Sequence, residues 1–72
     1  MEIFELRPFQ DHQVVLRLKD GETLKARVVL VDMEYEDIIV DVVETTQPEH
    51  YKLPNASYTI PASDILTVAV SD

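Results

Sequence analysis

The sequence contains no cysteine, which excludes disulfides and thiolate metal sites. Its two histidines, His12 and His50, stand far apart in the chain. Neither has a paired ligand beside it or a nucleophile and carboxylate at catalytic spacing, so neither is assigned to metal binding or catalysis. Glycine occurs once, at Gly21, and one glycine cannot build a phosphate-cradling loop. No apolar run approaches the ~20 residues of a membrane span. The opening MEIFEL lacks the basic and apolar regions of a signal peptide. Cations are scarce: six Lys and Arg against fourteen Asp and Glu leave a net charge of −8. Such a chain repels a phosphate backbone at long range and gains nothing from counterion release, which argues against a nucleic-acid partner. The expectation is a cytoplasmic protein that is not an enzyme, carries no cofactor and does not enter a membrane.

What is present points to one small domain, residues 1–72. A chain of 72 residues buries only about 60% of its unfolded surface and is marginal by itself. Disulfides, metals and oligomerisation are the usual remedies, and here oligomerisation is the one left. A hydrophobic content of 46% is high for a domain with so much surface.

From Val14 onward the pattern has a period of two. Val14, Leu16 and Leu18 face one way, while Val15, Arg17 and Lys19 face the other. After the turn, Leu24, Ala26, Val28 and Leu30 continue the apolar face. Parity fixes the turn. A two-residue loop of Asp20-Gly21 would set Leu16 against Lys25 and place a charge on the core face. A three-residue loop, Lys19-Asp20-Gly21, pairs Leu16 with Leu24 and Val14 with Ala26. It also puts the lone glycine where the chain needs φ > 0.

The alternation fails at Val28–Val31, and again at Ile38–Val40 and Val42–Val43. Such runs read as strands covered on both faces. The interior of a barrel supplies one cover, and the amino-terminal segment or a neighbouring subunit must supply the other. Residues 1–13 form an irregular arm or, with Pro8 opening PFQDH, a single helical turn. Asp32 to Asp37 is a polar turn. Residues 45–57 hold Pro48 and Pro54 without periodicity and read as a loop. A short strand at Tyr58–Ile60, a tight connection or 3₁₀ turn at Pro61–Asp64 and a last strand at Ile65–Val70 complete an all-β, strongly bent antiparallel barrel of five strands. Its expected core includes Leu16, Leu18, Leu24, Ala26, Val28, Leu30, Val40, Val42, Ile60 and Leu66.

The order and spacing of these features resemble the Sm-like (LSm) family over Val14 to Val70. The resemblance rests on LKDG at Leu18–Gly21, an apolar Leu24, the turn aspartate Asp32, Asp41 nine positions on, and Glu44. It continues with IPASDI at Ile60–Ile65, equal in length to the family's second motif. It implies a small Sm-like or SH3-like barrel, self-association into a ring through the fourth and fifth strands, and a ligand pocket at Asp32, Tyr35, Glu36, Asp37, Pro61 and Ala62. Family members that bind RNA use an asparagine in the first turn and an arginine-glycine pair in the second motif. Here Glu36 or Asp37 stands at the asparagine position, and Pro61 and Ala62 replace the pair. A carboxylate cannot donate to a base edge, and proline has neither charge nor N–H. Of the family's functional residues Asp32 carries over, and its expected role is to hold the turn.

Two charge groupings have plain structural readings. Asp32, Glu34, Glu36 and Asp37 are the densest acidic run; oxygen ligands suit Ca²⁺ or Mg²⁺, but no glycine-punctuated loop accompanies them, and a solvated turn is expected. Arg17, Lys19, Lys25 and Arg27 hold four of the six cations and occupy the outward positions of a half-buried hairpin. The functional expectation is a non-enzymatic oligomeric Sm-like binding or scaffold module, with protein among its partners. The alternative is an RNA-binding relative using a surface other than the altered pocket.

Overall fold

A computed structural model describes residues 1–53 and 55–72. In chain order it contains a short helix α1 (Ile3–Leu6), a 3₁₀ turn at Arg7–Phe9, and strands β1 (Gln13–Leu18), β2 (Thr23–Asp32) and β3 (Asp37–Thr45). A 3₁₀ turn at Pro48–His50, strand β4 (Ser57–Pro61), a 3₁₀ turn at Ala62–Asp64 and strand β5 (Ile65–Val70) follow. The strands make one antiparallel sheet in the order β4-β3-β2-β1-β5. This is the expected all-β fold, a small barrel-like sheet. Pro54, part of the predicted 45–57 loop, lies outside the described residues.

The first hairpin has the predicted three-residue loop. Leu16 pairs with Leu24 and Val14 with Ala26, and all four side chains are fully buried. Burial of each leucine contributes roughly 1.5–3 kcal/mol. The loop closes through the Gly21 N–H to the Leu18 carbonyl at 3.0 Å and the Leu18 N–H to the Glu22 carbonyl at 2.9 Å. Gly21 has φ +92°, a conformation that L side chains adopt only with strain.

The bend comes from three β-bulges, each adding one residue to one strand of a pair. Val29 is the extra residue on β2, between the pairs Val28–Val40 and Leu30–Ile39. Val43 is extra on β3, between Val42–Ala26 and Glu44–Lys25. Leu66 is extra on β5, between Ile65–Leu18 and Thr67–Arg17. All three point outward, with relative exposures of 41%, 55% and 57% respectively.

Each bulge reverses the inward-outward parity of the residues beyond it, which corrects the expected core. Leu30 and Leu66 are exposed, and Val31 and Ile65 are buried instead, while Ile38 is buried on the same face as Val40. Leu16, Leu18, Leu24, Ala26, Val28, Val40 and Ile60 are buried as expected, and Val42 packs half-buried against them. The run Val28–Val31 therefore does not reflect two covered faces. The bulge sends Val28 and Val31 inward and leaves Val29 and Leu30 in solvent.

The amino-terminal helical turn lies earlier than PFQDH predicts. It begins at Ile3, where the Glu5 carboxylate accepts the Glu2 N–H at 3.1 Å, and Pro8 falls in the 3₁₀ turn that follows. Ile3 and Leu6 are buried in the core. The chain then pairs with β2 beside the Val29 bulge. Asp11 N–H donates to the Val28 carbonyl at 2.7 Å, and Val28 N–H to the His12 carbonyl at 2.9 Å. The Gln10 side-chain oxygen accepts the Val31 N–H at 2.9 Å. The segment thus satisfies the backbone of β2 without covering Val29 or Leu30.

Candidate functional site

Two turns define the candidates, and the first is the acidic turn between β2 and β3. Asp32 holds it: its Oδ1 accepts the backbone N–H groups of Glu34 at 3.0 Å and Tyr35 at 3.1 Å. Asp37 pairs with Asp32 on one side and Pro61 on the other. Ala62 N–H donates to the Glu36 carbonyl at 3.0 Å. Glu36 has φ +55°, a left-handed conformation that favours glycine or asparagine.

These contacts bring Tyr35, Glu36, Pro61 and Ala62 around an open cleft of about 280 Å³, bordered also by Met1 and Glu2. Asp32 and Asp37 do not line it. Tyr35 is 74% exposed and offers a ring face, while the Ala62 side chain is buried. The sequence-derived site residues are therefore neighbours, four at the cleft and two supporting the turn. The cationic face of the first hairpin is interleaved with acid, since Lys25 stands opposite Glu44 and Arg27 opposite Asp41.

The second candidate lies at the β1–β2 turn and was not apparent among the sequence candidates. Glu22 is 1% exposed, the buried charged residue of the described chain. Its Oε2 accepts the Thr45 hydroxyl at 2.5 Å, and its Oε1 lies 3.1 Å from His50 Nδ1. Asp20 Oδ1 accepts the Glu22 N–H at 2.9 Å. The three residues Asp20, Glu22 and His50 each present a ligand atom, all within 4.8 Å of one another. They share a cleft of about 260 Å³ with Tyr51, Tyr58 and Asp64. Burial, and then the Glu22 and Asp20 carboxylates, push the Tyr51 phenol well above its ordinary range. The Tyr51 and Tyr58 rings meet edge to face at 5.0 Å and fix the far wall.

A signal for Glu22 exists in the sequence. The three-residue loop that pairs Leu16 with Leu24 also sets Glu22 against Leu18, on the inner face. His50 gives no such signal, because a loop without periodicity does not reveal what it packs against. No protein-family model matches the chain, and no curated protein matches it. Among the described residues no helix is long and apolar enough to cross a membrane.

Proposed function

We propose that the chain is a non-enzymatic binding or scaffold module of Sm-like type that assembles with copies of itself, β4 of one copy pairing with β5 of the next. The observation that carries this reading is the open sheet. In the order β4-β3-β2-β1-β5 the outer backbone groups of β4 and β5 have no strand beside them among the described residues, a template for a further strand. Leu66 and Val70 stand exposed on β5, at 57% and 52%, beside that edge. Pairing of two different edges is head-to-tail, and a head-to-tail contact yields a ring when its rotation closes. Support also comes from the chain order of LKDG, Asp32 and IPASDI, which falls on β1, the first turn, the end of β2 and the β4–β5 junction. A cysteine-free acidic chain suits the reducing cytoplasm.

Sedimentation velocity at micromolar concentration tests the reading. An oligomer is expected, and Leu66→Asp is expected to reduce it to monomer with an unchanged far-ultraviolet circular dichroism spectrum. Monomer alone in the unmodified protein would end it. A second reading, RNA bound through an unusual surface, is favoured by exposed Tyr35 beside the cleft, since a ring face stacks on any base. The charge of −8 weighs against it. Oligo-uridine is expected not to bind at physiological salt in fluorescence anisotropy; saturable micromolar binding lost in Tyr35→Ala would favour this second reading.

A further inference from the structure

We propose that Asp20, Glu22 and His50 form a binding site for a first-row divalent metal ion of the zinc type. The site is independent of the assembly reading, because all three ligands come from one chain. Two of them belong to the first hairpin, and His50 belongs to the 3₁₀ turn at Pro48–His50. Metal binding would therefore tie the β3–β4 loop to the β1–β2 turn.

The charge balance motivates the proposal. A carboxylate withdrawn from water costs several kcal/mol unless a positive partner compensates it. Glu22 is 99% withdrawn, being 1% exposed. Among the described residues its one cationic partner within 4.0 Å is His50, and no lysine or arginine reaches it. Asp20 and Asp64 on the same cleft add negative charge. The neutral hydroxyl of Thr45 satisfies one carboxylate oxygen and leaves the charge in place. A divalent ion is the compensating charge that this set of donors can take.

The geometry suits such an ion. With metal–ligand distances of about 2.1 Å, tetrahedral donors stand about 3.4 Å apart. Glu22 Oε1 and His50 Nδ1 are already 3.1 Å apart, and the full set spans 4.8 Å. Asp20 and His50 are exposed side chains, free to close the remaining gap. The Thr45 hydroxyl on Glu22 Oε2 orients the carboxylate so that Oε1 faces the cleft. Outer contacts of this kind position metal ligands in general. The Asx contact from Asp20 Oδ1 to the Glu22 N–H leaves the other Asp20 oxygen free.

Donor chemistry selects the class of ion. An imidazole nitrogen with two carboxylates suits zinc, manganese or ferrous iron, whereas calcium and magnesium prefer oxygen throughout. Three protein ligands leave at least one coordination position toward the cleft, which water can fill.

Isothermal titration of the chelator-stripped chain with zinc chloride at neutral pH is the test. Saturable, stoichiometric uptake is expected, with a rise in melting temperature. His50→Ala and Glu22→Gln are each expected to weaken it by about tenfold or more, the scale on which even outer contacts act. His12→Ala should leave it unchanged. His50→Gln keeps a hydrogen-bond donor toward Glu22 while removing the imidazole ligand, so it carries the result even if His50→Ala or the buried Glu22→Gln change does not fold. Absence of saturable uptake, or uptake unaltered in both His50→Ala and His50→Gln, would overturn the site and leave His50 as no more than the hydrogen-bonding partner of Glu22. Calcium binding as tight as zinc binding would overturn the assigned class of ion.

Discussion

The two turns on either side of β2 are built alike and end differently. Each opens on an aspartate whose side chain accepts backbone N–H groups, Asp20 in one and Asp32 in the other. Each contains one residue at positive φ, Gly21 at +92° and Glu36 at +55°. The β2–β3 turn keeps Met33, Glu34, Tyr35 and Glu36 in solvent. The β1–β2 turn instead folds Glu22 beneath it and captures His50 from a distant loop. The denser charge run is the one whose charges cost nothing, because water solvates them. A single inward carboxylate with few neighbours in sequence creates the stronger electrostatic demand. Charge density along a chain is thus a poor guide to where charge matters in the fold.

The largest expected effect tests what aims the acidic turn. The Val29 bulge puts Val31 inward and Leu30 outward, at 8% and 42% exposure. Val31→Ala should cost about 2–3 kcal/mol of unfolding free energy and Leu30→Ala under ~1 kcal/mol, measured by urea denaturation. Equal costs would mean that the parity reversal is absent.

A smaller effect separates the two positive-φ residues. Nothing lies within 4 Å of a Cβ built on Gly21, so strain there is purely one of backbone. Gly21→Val should destabilise by about 2 kcal/mol. Glu36→Gly should stabilise by up to about 1 kcal/mol, because it removes a left-handed strain that Glu36 now bears. Opposite signs from denaturant midpoints would sharpen the comparison, and matching signs would break it.

The smallest effect is a pH dependence at the first turn. The folded chain holds the Tyr51 proton more tightly than the unfolded chain does, owing to burial and then to Glu22 and Asp20. The stability this provides is complete below the ordinary phenol value of about 10 and is lost as pH rises beyond it. The urea midpoint should fall above about pH 10, and fall less in Tyr51→Phe.

The sequence was legible where a two-residue period could be counted from a fixed turn. Leu16, Leu24, Val14 and Ala26 paired as parity required, and the last strand began at Ile65 as expected. Counting failed at Leu30 and Leu66, because a bulge leaves no mark in composition when the inserted residue is itself apolar. It was that choice of residue that made Val28–Val31 look covered on both faces. The acidic turn could be located because Asp32 and Asp37 bound a polar interval. The Glu22 site depends on contacts between residues 28 positions apart, with one partner in a loop of no regular pattern. Such a meeting is set by how the β3–β4 loop closes over the barrel, which local pattern does not encode.

A chain with one glycine has few inexpensive places to bend, so this sheet stores its curvature in the surplus residues Val29, Val43 and Leu66. At those positions the number of residues matters more than their identity. Loss of any one of them would straighten the ladder locally and turn every side chain beyond it to the opposite face. Replacement by another residue would change one exposed side chain alone. Inheritance should therefore be permissive toward substitution and severe toward single-residue deletion at the same three sites, an asymmetry that follows from the odd and even numbering of a strand.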